Sequence, residues 1–163
     1  MKKEKKKNNY LLLGLIIIAV FVVGIFATST INKMKANNLN ISPLSKEIKS
    51  IQIKDLDKTK YDKFTAVIFS YTGSDHTNKM ENELVKVIKK NKIKDSFYYV
   101  DLTQGNNIEE IKNAVNLEQK VEKLPAAIFF KDKEVIKVVS STDEFLISSG
   151  NIIQVLEIYD LIK

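Results

Sequence analysis

The stretch Leu124-Pro125-Ala126-Ala127-Ile128-Phe129-Phe130-Lys131-Asp132-Lys133-Glu134 decides how the rest of the chain is read. Its apolar run is opened by a proline and closed by three charged residues. An unbroken apolar run of strand length, ending in β-branched and aromatic residues, reads as a buried strand. A proline can open such a strand, because its missing N–H then costs the ladder nothing. Lys131-Asp132-Lys133 turns the chain back into Glu134–Val139, and the spacing predicts an antiparallel hairpin.

Outward from the hairpin, strand and helix patterns alternate. Toward the C-terminus, Thr142-Asp143-Glu144 reads as a helix start, and Ile152, Val155, Leu156, Tyr159 and Ile162 as the apolar stripe of a last helix. Toward the N-terminus, Ile108, Ile111 and Val115 mark a helix begun near Asn106 or Asn107. Phe97–Leu102 and Ala66–Tyr71 read as buried strands. Between these two, Met80, Leu84, Val87 and Ile88 fall on one helical face, and Asn78 with Glu81 fits a capping box. Ser50–Lys54 is a short strand candidate and Leu56–Phe64 a short helix. Strands alternating with helices, with a hairpin at the end, make an α/β domain over residues 49–163 with a mixed sheet flanked by helices.

The first part of the chain is of another kind. No charged side chain lies between Lys7 and Lys33, and Tyr10–Ala27 is almost entirely apolar. At ~1.5 Å per residue these 18 residues reach roughly 27 Å, close to the ~30 Å of a bilayer core. Residues 10–31 therefore read as a transmembrane anchor in contact with lipid. Residues 1–9, with five lysines against Glu4, read as a basic tail held in the cytoplasm, which places the C-terminal domain outside the cell. A cleaved signal peptide has the same order of basic and apolar regions but a shorter apolar core. Residues 32–48 carry Asn32, Asn37, Asn38, Asn40, Ser42, Pro43 and Ser45, and read as a linker.

Composition excludes several functions. The 163 residues contain no cysteine, one histidine and no arginine. Thiol chemistry, a disulfide framework, a zinc–cysteine site and a lipid-modified cysteine are excluded, and a multi-histidine metal centre cannot be built. The net charge of +6 is not a nucleic-acid signature, because residues 1–9 hold +4 of it and arginine is missing. No glycine-rich phosphate loop is present. We therefore expect no cofactor, metal, catalytic residue or nucleic-acid partner. The cluster Phe97, Tyr98 and Tyr99 reads as sheet core, and Lys86, Lys89, Lys90 and Lys92 as a solvated helix end.

The predicted order βαβαβα-ββα resembles the thioredoxin fold. The strand Ala66–Tyr71 runs into a turn and a long helix, where that family carries its active-site loop. Val100-Asp101 is similar to a common ending of the next strand, and Leu124-Pro125 looks like the family's cis-proline. Tyr71-Thr72-Gly73-Ser74 is similar to the lead-in of membrane-anchored Gram-positive relatives of the bacteriocin transport accessory type. The resemblance places the missing cysteines at Asp75 and Asn78, or at Thr77 and Met80. It implies a redox-inactive binding or accessory module serving a secretion, bacteriocin-export or envelope system. Its expected partner is a peptide or membrane protein, held by Gly73, Ser74, Asp75, His76, Thr77, Asn78, Leu124 and Pro125. The alternative is a structural subunit of a larger membrane assembly, such as secretion or conjugation machinery.

Overall fold

The structure is a computed structural model. It describes residues 2–105, 108–115, 117 and 121–163, with side chains for all of these except residues 2–12 and 31–38. The chain divides between Asn38 and Leu39 into two compact units. The first is the helix α1, Lys2–Leu39, whose last residue belongs to the second unit. Its segment Leu13–Thr30 is long and apolar enough to cross a membrane, and its side chains are exposed.

The second unit holds strands β1 (Lys49–Ser50), β2 (Thr65–Ser70), β3 (Phe97–Asp101), β4 (Lys123–Lys131) and β5 (Glu134–Ser141). Its helices are α2 (Asp75–Asn91), α3 (Ile108–Val115) and α4 (Ser149–Ile158). The five strands form one mixed sheet in the order β1-β3-β2-β4-β5. β2 lies in the middle, parallel to β3 and antiparallel to β4. All six of its residues are buried, as a two-sided central strand requires. On one face Ala66, Ile68 and Phe129 pack with Met80, Leu84 and Ile88 of α2 and Ile152 and Leu156 of α4. On the other, Val67, Phe69 and Ile128 pack with Ile111 and Val115 of α3. The expected helical face of α2 and the parallel β2–β3 pair are present.

The polar stretches depart from the sequence reading. Of Ser50–Lys54 only Ser50 pairs as a strand, together with the preceding Lys49, because Ile53–Asp55 winds into a short 3-10 turn at which the Gln52 amide donates to Asp55. Leu56–Phe64 is not one helix but holds a single 3-10 turn, Lys58–Lys60, where the Asp57 side chain accepts from the Thr59 amide at 3.0 Å. Thr142-Asp143-Glu144 starts no helix. Its backbone closes a loop, Thr142 donating to the Phe145 carbonyl at 2.7 Å, and α4 begins after the cap Ser148. Tyr159 and Ile162 follow the end of α4. The start of α3 near Asn106 or Asn107 lies outside the described residues. The linker reading of residues 32–48 is corrected as well: the helical backbone continues to Leu39, and Leu44 and Ile48 are core residues at 0% and 6% exposure. Asparagines suggested a loop, but two apolar residues among them decide the packing.

Candidate functional site

β2 delivers the chain to a turn, Tyr71–Ser74, and α2 starts at Asp75. Gly73 sits at φ +90°, a backbone conformation that side chains disfavour, and its amide donates to the Leu39 carbonyl at 2.7 Å. The Thr72 amide donates to Thr103 Oγ1 at 2.9 Å, which fixes the turn to the end of β3. Ser74 caps α2 by accepting from the Thr77 amide at 3.3 Å. The capping box expected from Asn78 and Glu81 is therefore displaced. The helix starts three residues before Asn78, and Glu81 faces inward.

Three hydrogen bonds run from this turn to the proline. His76 Nε2 lies 2.7 Å from the Ile147 carbonyl. A carbonyl only accepts, so Nε2 bears the proton. The Ile147 amide donates to Ser141 Oγ at 3.2 Å, and Ser141 Oγ donates to the Pro125 carbonyl at 3.0 Å. The Leu124–Pro125 peptide bond is cis. In the register between β2 and β4, the last pair before the proline is Phe69 with Ala126, and no β2 residue lies opposite Leu124. At the rim, Lys123 Nζ donates to Asp143 Oδ1 at 2.6 Å. The bond holds the Lys123 pKa above its usual value and the Asp143 pKa below, but an exposed pair of this kind adds little to stability.

The structure thus gathers most of the residues that the sequence singled out, and it sorts them. Gly73 and Asp75 are exposed, and Ser74, His76 and Asn78 half-buried. Thr77 is buried, as are Leu124 and Pro125. Of the two placements for the missing cysteines, Thr77 and Met80 are each only 2% exposed. Asp75 and Asn78 occupy the accessible part of the first turn of α2. His76 does not present a free ring nitrogen pair to a ligand, since Nε2 is committed to the backbone of the loop before α4.

The sequence reading missed a buried polar cluster beneath the turn. Glu81 is 1% exposed; its carboxylate accepts from Ser42 Oγ at 2.5 Å, from Ser70 Oγ at 2.6 Å and from the Leu44 amide at 3.5 Å. Burial raises the Glu81 pKa, and the two hydroxyls and the amide oppose that rise. The Tyr99 hydroxyl lies against Ser42 and Ser70; burial and then the charge of Glu81 raise its pKa, and the two serine hydroxyls oppose that rise. Thr77 Oγ1 is buried without a hydrogen-bond partner. A signal was available: Glu81 falls between Met80 and Leu84 on the apolar face of α2. A separate surface depression lies along Ser50–Asp55 and Val100–Leu102. No group of three metal-ligating side chains occurs among the described residues.

No protein-family model and no curated protein matches the chain. Solved structures do. Thioredoxin f2 from Chlamydomonas reinhardtii is similar at 14% identity, over 71% of this chain and 99% of that one, with a TM-score of 0.51. Thioredoxin f2 in its complex with ferredoxin:thioredoxin reductase matches at 14% identity, over 70% and 96%, with a TM-score of 0.50. At that identity the likeness speaks for architecture alone. The domain that follows α1 has a thioredoxin-like fold and contains no cysteine.

Proposed function

We propose that the protein is a membrane-anchored, redox-inactive binding module that faces outward from the cytoplasmic membrane. Residues 1–9 form the cytoplasmic tail, residues 10–31 the anchor, and residues 49–163 the binding domain. One observation carries this reading: in a chain without a thiol, the turn before α2 and a cis-proline are joined by hydrogen bonds. The Gly73–Asn78 turn and the Leu124–Pro125 bond remain joined through Ile147 and Ser141. The strand position at Leu124 is left without a β2 neighbour. An extended peptide or a segment of a membrane protein can add there by backbone pairing. Ile41 lines a crevice with Tyr71 and Thr72, and Phe145 and Leu146 immediately precede Ile147, which is bonded to His76; all three are exposed and favour an apolar partner segment. The setting proposed is a secretion, bacteriocin-export or envelope system.

The test is site-directed photocrosslinking of the full chain in its own membrane. A probe at Ser74 or Lys123 should give a product of one defined mass, and the same probe at Lys94 should not. Equal yields at all three positions would remove this face as the binding site.

A further inference from the structure

Residues 39–45 run along the turn before α2. Leu39 accepts from the Gly73 amide at 2.7 Å. Ser42 reaches the carboxylate of Glu81 at 2.5 Å, and the Leu44 amide reaches the same oxygen at 3.5 Å. Ser45 returns two bonds to Ser42, through its amide at 3.1 Å and its hydroxyl at 2.9 Å. The other oxygen of Glu81 accepts from Ser70 at the end of β2. One buried carboxylate therefore ties this segment to the strand that enters the turn. Within the segment only Ser42 and Leu44 are buried, while Asn40 and Ile41 are exposed. It is anchored at Leu39, Ser42 and Leu44, the last of them in the core.

One further observation indicates that the contact can open. The crevice between the segment and the turn is lined in part by Leu39, Ser42, Thr72, Thr77 and Glu81. Thr77 Oγ1 lines it, buried and without a hydrogen-bond partner. A buried polar atom without a partner is a standing penalty on the state that buries it. Lifting the segment lets water reach that hydroxyl.

We propose that residues 39–45 are a releasable strap, latched by Glu81, that closes the flank of the α2 N-terminal turn. Closed, it occupies the Gly73 amide; open, it frees that amide and the first turn of α2 for a bound chain. The gating role rests on the binding reading above, but the opening itself does not. Amide hydrogen exchange separates the two, because it needs no ligand.

The experiment follows the Gly73 and Leu44 amides in the full chain in detergent micelles, with Ile68 in β2 as the reference. In the wild type, Gly73 and Leu44 should exchange together and faster than Ile68, which marks a local opening. Ser42→Ala removes one bond to a buried carboxylate and should speed both amides by about tenfold or more, leaving Ile68 unchanged. Thr77→Val removes an unpartnered hydroxyl at equal shape and should slow both. The proposal is overturned if Gly73 exchanges only at the Ile68 rate, or if Ser42→Ala speeds Leu44 and leaves Gly73 as it was. If the strap opens as stated but photocrosslinking finds no partner in any variant, the binding reading alone fails.

Discussion

Glu81 shows how much a single side chain can hold in place, and why it was hard to foresee. Its neighbours Met80 and Leu84 follow the apolar period of α2, and a carboxylate on that face breaks the pattern. What makes it tolerable lies far away in sequence, in the hydroxyls of Ser42 and Ser70. Burial raises its folded pKa, so the folded chain keeps its proton where the unfolded chain has released it. Stability from this group is then fullest below the unfolded pKa and declines as pH rises through the raised folded value. Urea midpoints of the wild type and Glu81→Gln should therefore diverge in favour of the variant as pH rises above 4.5, the ordinary value. Midpoints that stay parallel as pH rises would show that Glu81 titrates alike in the folded and unfolded chain.

Elements were legible where apolar residues repeat, and illegible where polar residues fold against a core they do not resemble. β2, β3 and β4 read as apolar runs, and all three form near the expected bounds. The stripe Met80, Leu84 and Ile88 marked the inner face of α2, and each of the three is at most 2% exposed. Leu84→Ala should accordingly cost about 2–5 kcal/mol in a urea titration, the usual penalty for a large-to-small change in a closed core. A cost below 1 kcal/mol would mean that α2 is not packed on the sheet as described. Caps were less legible. Asn78 and Glu81 have the spacing of a capping box, yet Ser74 takes the role, because the turn after Gly73 sets where the first free amides point. Ser74→Ala should lower stability by about 1 kcal/mol, and Asn78→Ala by less than half of that. The short turns at Ile53–Asp55 and Lys58–Lys60 were beyond periodicity altogether, since each is held by one side chain against its own backbone.

At the scale of the whole molecule, architecture was readable from one hairpin and its proline, while the site was readable only in part. The turn and the proline could be named because both punctuate the chain. The bonds between them pass through Ser141 and Ile147, residues with no sequence signal of their own. A scaffold of this kind without sulfur nucleophiles cannot carry thiol–disulfide exchange. Reduction of insulin by dithiothreitol should run at the same rate with and without the protein, and an acceleration would require chemistry that the chain does not contain. Protease added to intact protoplasts should remove the domain beyond residue 39 and leave α1, whereas a domain protected until lysis would reverse the proposed topology.

The central place of β2 has a consequence in time. Its β3 neighbour follows within about one helix of sequence, but β4 is not complete until Lys131. A growing or truncated chain that stops before Lys123 holds Thr65–Ser70, all of it apolar or small, with one edge unpaired. Such an edge is a template for other strands. Synthesis therefore passes through an interval in which α1 is complete and the domain is not, and in that interval the strand that later lies deepest is open to pairing with other strands.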